Sequence, residues 1–136
     1  MAAITLDSVN LDAMSAQWCP QITGLFAGEA LFLGAACYIK ASDGKIYKSK
    51  AAAAETGRVH GFTGRAVAIN EPVTLFGKGA RFHYAASGLT PGAQLFLSGA
   101  TFGELATATA TGDTKGIAMA INATDIMVML TPLAYT

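Results

Sequence analysis

Along much of this chain, large and small side chains alternate with a period of two. Ile117, Met119 and Ile121 alternate with Ala118 and Ala120, and Arg65, Val67 and Ile69 alternate with Ala66 and Ala68. Successive side chains of a strand point to opposite faces, so the pattern predicts strands with bulk on one face and alanine on the other. An alanine face lets a second backbone or sheet come close. In the run from Ala80 to Tyr84, Phe82 and Tyr84 share one face while Arg81 and His83 share the other. Ile126 to Leu130 is apolar without alternation, which predicts a strand buried on both faces. In so small a domain, its second face is expected to meet another subunit. Tyr38 and Ile39, followed by Ser42-Asp43-Gly44, predict a hairpin.

The pieces recur in order. Gly34-Ala35-Ala36-Cys37-Tyr38-Ile39 matches Gly92-Ala93-Gln94-Leu95-Phe96-Leu97, and a turn follows each. Next come Lys45-Ile46-Tyr47 and Glu104-Leu105-Ala106, then Ala- or Thr-rich stretches. Gly64-Arg65-Ala66-Val67-Ala68-Ile69-Asn70 and Gly116-Ile117-Ala118-Met119-Ala120-Ile121-Asn122 share Gly-x-Ala-apolar-Ala-Ile-Asn. Short apolar strands close both copies, at Val73 to Phe76 and Ile126 to Leu130. Self-similarity of this kind marks a duplicated supersecondary unit. The reading is an all-β chain, a small β-sandwich or β-barrel built from two related hairpin-plus-strand repeats. Residues 28–84 form the first repeat, 85–136 the second, and 1–27 an N-terminal arm.

Within the arm, Ser8 is placed to cap a short helix through Ala16, with an extended course as the alternative. Leu6, Leu11, Met14 and Trp18 are apolar with little core of their own to fill. They either close one end of the β-domain or grip a neighbour.

Composition sharpens the picture. Only 13% of residues are charged and 52% are hydrophobic, against roughly 25% charged in ordinary soluble domains. A small monomer that poor in charge exposes apolar patches, which predicts burial between subunits. Lys plus Arg number 9, as do Asp plus Glu. A balanced charge argues against a nucleic-acid partner. Lys40, Lys45, Lys48, Lys50 and Arg58 outnumber Asp43 and Glu55 in one stretch, either a docking asymmetry or a solvated hairpin. No apolar run approaches the ~20 residues needed to span a bilayer, and no start signal for secretion stands out. Cys19 and Cys37 lack metal-ligand spacing and are expected reduced and buried, which fits synthesis in a reducing cytoplasm.

Chemistry is sparse. Neither His60 nor His83 has a second ligand at metal spacing, and no nucleophile elbow or phosphate-binding glycine loop occurs. No enzyme, metal site or cofactor is expected. Phe26, Phe32, Phe62, Phe76 and Phe102 are candidates for a glycan-stacking platform if the chain is a fibre or spike module, although core packing explains most such positions.

Several of these segments carry a resemblance. Asp43-Gly44-Lys45-Ile46-Tyr47-Lys48-Ser49 before an Ala-rich stretch, His60-Gly61-Phe62-Thr63-Gly64, Ser87-Gly88-Leu89-Thr90-Pro91-Gly92-Ala93 before Leu95-Phe96-Leu97-Ser98, and Gly116-Ile117-Ala118-Met119-Ala120 are similar to the phage capsid cement, or decoration, proteins. The similarity runs from about Gly28 to Leu130, and Gly-Leu-Thr-Pro-Gly also occurs in spike and fibre modules. The resemblance implies a homotrimer on the outer surface of an icosahedral phage head, clamping the major capsid protein without catalysis. It makes Leu6, Leu11, Met14 and Trp18 candidate capsid contacts, and Met127, Met129, Ala118 and Ala120 candidate trimer contacts. The alternative it leaves is a receptor- or glycan-binding module of a fibre or spike.

Overall fold

The computed structural model describes residues 4–13, 20–111, 113 and 115–130. Among these the chain is all-β, two antiparallel sheets packed as a small sandwich. The strands are β1 (Asp12–Ala13), β2 (Gln21–Phe26), β3 (Ala36–Ile39), β4 (Ile46–Lys48), β5 (Gly61–Thr63), β6 (Pro72–Phe76), β7 (Arg81–His83), β8 (Gln94–Leu97), β9 (Leu105–Ala106), β10 (Ala118–Ala120) and β11 (Asp125–Val128). Sheet one runs β2-β6-β5-β3-β4 and sheet two β1-β7-β11-β10-β8-β9.

Leaving β1 aside, the two orders are the same pattern, so each sheet is one copy of the duplicated unit. The correspondence extends to individual hydrogen bonds. Gly34 N donates to Thr63 O at 2.9 Å, and Gly92 N to Ala120 O at 2.7 Å. Thr63 N donates to Ala35 O and Ala120 N to Ala93 O; His60 N donates to Cys37 O and Ile117 N to Leu95 O. Gly34 and Gly92 both have φ of 80°, a left-handed conformation that suits glycine. Thus Gly-Leu-Thr-Pro-Gly at 88–92 is the turn leading into β8, and residues 30–34 form its counterpart before β3.

The structure shifts the repeat boundaries and one register. Gln21–Phe26, read as part of the arm, is a full strand paired with β6, and β7 belongs to the second unit. Gly64–Asn70 is not the counterpart of Gly116–Asn122. The ladder Ala36↔Phe62 matches Gln94↔Met119, so β5 is the partner of β10 and Phe62 of Met119. Residues 64–71 form a loop that pairs with Leu31 through Val67 and packs Val67 against Cys37, Val73 and Leu75 of sheet one.

Ala36, Phe62 and Phe76 line up across sheet one and face the large core shared with Phe82, Leu95, Leu97, Ala118, Ala120, Ile126 and Val128 of sheet two. The Phe62 and Phe82 ring centroids are 6.0 Å apart, an aromatic pair of the kind worth about 0.5–1.5 kcal/mol beyond area burial. The other face of sheet one packs Cys37, Ile46, Val73 and Leu75 under Ala27, Leu31, Ala35 and Val67. Burial pushes the Cys37 thiol far above its usual range.

The segment 4–13 is an extended strap, the second of the two courses left open for it, and shows no helix after Ser8; residues 14–16 lie outside the described residues. Asn10 bonds back to Asp7, closing a turn, and β1 then pairs with β7. Ile4 N donates to Leu105 O, and Asp7 N to Tyr84 O. The strap therefore joins β9 and β7, the two ends of the second unit.

Candidate functional site

Sheet two has an outward face. Antiparallel register sets Arg81, Met127, Met119 and Gln94 in one row across it. Their neighbours Phe82, Ile126, Ala120 and Leu95 point inward and are buried. Met119 and Met127 are half-buried, leaving a soft apolar surface on this face.

Beside the methionines lies an ion network. Arg81 Nη2 donates to Asp125 Oδ2 at 2.6 Å. His83 Nδ1 is 3.2 Å from Asp125 Oδ1 and its Nε2 3.0 Å from Asp7 Oδ2. Asp7 raises the His83 pKa above the ordinary histidine value, with Asp125 adding to the effect against partial burial. Asp7 is held low chiefly by His83. Burial works against the Asp125 charge, but Arg81 and Thr124 outweigh it and keep the carboxyl low. His60 is different: its Nδ1 accepts from Ile39 N at 2.9 Å, and burial, helped by Arg58, lowers its pKa. Among the described residues no group of three or more His, Cys, Asp or Glu is arranged to hold a metal, and no helix is long and apolar enough to cross a membrane.

The first unit presents a second surface. β2 lies at the edge of sheet one with Ile22 41% and Phe26 51% exposed. The β3–β4 hairpin carries an exposed turn at 41–44, closed by Gly44 N donating to Lys40 O at 2.8 Å. Asp43 Oδ2 accepts from the Tyr47 hydroxyl at 2.6 Å, and Lys40 Nζ stands 4.7 Å over the Tyr47 ring.

The site residues named from sequence fall in different places. Ala118 and Ala120 are 1% and 0% exposed. The alanine face of β10 is the inward one, packed in the core with Phe62, Phe82 and Ile126, so these two are core residues and not surface contacts. Met127 lies on the outward face, and Met129 is half-buried beyond β11, with its N donating to Ile117 O. Leu6 is half-buried against the chain's own core and bridges to Ala85; Leu11 is half-buried. Met14, Trp18 and Cys19 lie outside the described residues. Of the five phenylalanines offered as a glycan platform, Phe62 is in the core, Phe76 and Phe32 pack against core clusters, and Phe26 and Phe102 are exposed. Sequence reasoning missed Met119 as an outward residue and the strap ion Asp7; the cue for the second was a carboxylate beside a turn and a histidine on the polar face of β7.

Fold and surface together define an internally duplicated β-sandwich with one soft apolar sheet face and one exposed edge strand. No protein-family model matches the chain, and no curated protein does either.

Proposed function

We propose that this chain is a structural virion protein, a cement protein that binds the outer surface of an icosahedral phage head as a homotrimer and holds neighbouring copies of the major capsid protein together. The observation that carries the assembly part is the pairing of a charge-poor composition, 13%, with apolar side chains left outward on both units: Ile22 and Phe26 on one, the Met119–Met127 row on the other. The capsid part rests on the resemblance of the hairpin, Gly-Phe and Gly-Leu-Thr-Pro-Gly segments to the cement family. Such a protein works by binding energy alone: occupancy of the expanded shell shifts it away from rupture by mass action.

The test is co-sedimentation of purified protein with undecorated, expanded heads of the phage concerned, with light scattering to give the mass of the free protein. A trimer that saturates shells and raises the temperature of DNA release supports the reading. Protein that stays in the supernatant at every concentration defeats it. Removing residues 1–18 is a poor probe of docking, because residues 4–13 stitch sheet two.

A further inference from the structure

The two units do not face each other with like surfaces. Ladder equivalence matches Phe62 to Met119 and Phe82 to Ile22. Inside the chain, the Phe62 face of unit one packs on Phe82 of unit two. That contact is head-to-tail, so it uses one surface of each unit and leaves one over. The surface left over on unit two is the Met119 face; on unit one it is only the β2 edge at Ile22, because Cys37 and Leu75, the counterparts of Leu95 and Ile126, already lie under Leu31 and Val67 of the same chain. Phe82 is 0% exposed because Phe62 covers it, whereas its counterpart Ile22 is 41% exposed.

A second, independent part of the seam repeats the logic. The β8–β9 turn of unit two wedges into unit one: Ala36 N donates to Gly103 O at 3.0 Å, and Gly103 N donates to Ser49 O. The counterpart of Gly103 is Gly44, in the matching hairpin turn with a matching positive φ, 71° against 80°. The counterpart of Ala36 is Gln94. Both Gly44 and Gln94 are exposed. Space tells the same story. A Cβ added to Gly34 would sit 3.8 Å from the Tyr84 ring of the other unit, but one added to Gly92 would meet nothing within 4 Å.

The geometry points to a head-to-tail contact between copies of this chain that repeats, from chain to chain, the edge-strand and hairpin-turn part of the seam joining the two units within one chain. The Met119 face of one copy covers Ile22 of the next, and the Gly44 turn of the next docks beside Gln94. A heterologous contact gives a ring where its rotation closes; three chains make a ring of six like units. The ring size of three rests on the trimer of the proposed function, while the residues in contact come from the duplication.

The experiment compares the mass in solution of the full chain, Met119→Glu, Ile22→Lys and the double variant. The wild type is expected at three times the chain mass and each single variant at one third of that. The double variant is expected to reassemble, because every seam then sets a carboxylate against an ammonium. In parallel, Met119→Cys and Ile22→Cys, each carrying Cys19→Ser and Cys37→Ala so that no native thiol competes, are oxidised alone and mixed. A disulfide-linked pair is expected only in the mixture, since each seam needs one of each, and this arm holds even where a charged variant folds poorly. A wild type of single-subunit mass, single variants that keep the wild-type mass, or cysteine variants that never cross-link would overturn the contact. A trimer indifferent to both substitutions sinks this seam and leaves the capsid reading standing. A ring that responds as expected but never sediments with shells does the reverse.

Discussion

The imidazole Nε2 of His83 lies 3.0 Å from a carboxylate oxygen of Asp7, 76 positions earlier in the chain. This pair, with Asp125 on the other ring nitrogen, fastens the N-terminal strap to the outward face of sheet two. A protonated imidazole donates to both carboxylates; a neutral one donates to only one.

Stability should therefore depend on pH in a defined direction. The His83 pKa is raised, so its contribution is complete below the ordinary value of 6.5 and is lost as pH rises through the raised value. Asp7 and Asp125 are lowered, so their contributions are present above 3.8 and lost as pH falls through their lowered values. The maximum should fall between these limits. Urea midpoints measured from about pH 4 to pH 8, below the range in which the Cys37 thiol ionises on unfolding, should decline on the alkaline side in the wild type and stay level there in His83→Gln. A wild-type profile without that decline removes the strap's ionic fastening from the account.

Tyr84 should be worth more than its ring. It is 0% exposed, and its hydroxyl accepts from Leu105 N at 3.0 Å, capping a donor at the outer edge of β9 that no strand partner reaches. Tyr84→Phe keeps the packing and strands that N–H, at a cost of about 1–3 kcal/mol. Thermal melts should show a fall of several degrees; an unchanged melt would mean that another group takes the proton.

Gly92 isolates a backbone effect. Its φ is 80° and a Cβ there meets no neighbour, so Gly92→Ala should cost only the left-handed conformation, about 1–2 kcal/mol, with the fold retained. Denaturant titration reads this directly. A neutral or stabilising result would show that the turn relaxes to negative φ.

Much of the fold was legible because the duplicated turns are chemically constrained. Gly34 and Gly92 must adopt positive φ, and Asp43-Gly44 closes a hairpin as its residues predict. What failed did so for local reasons. β2 escaped notice because a register shift between Ile22 and Leu25 breaks its alternation: both residues share a face although three positions apart. β5, Gly61-Phe62-Thr63, has the same length as Ala118-Met119-Ala120 but shares no residue with it, so an alanine-rich loop took its place in the comparison. The polarity of the alanine face was inverted because small residues suit a packed core as well as a subunit contact, and sequence alone does not say which they line. Of the outward surface, Met127 was legible; Asp7, His83 and Asp125 come together only through long-range register.

Fusing two like units into one polypeptide releases them from having to share a sequence. The permanent junction carries Phe62 against Phe82, rigid rings suited to a bond that never opens. The corresponding positions that face outward hold Met119 and Ile22, and thioether side chains adapt to shapes that come and go. An assembly of identical single units would need one chemistry for both kinds of position; in this chain the buried junction and the outward positions can evolve independently.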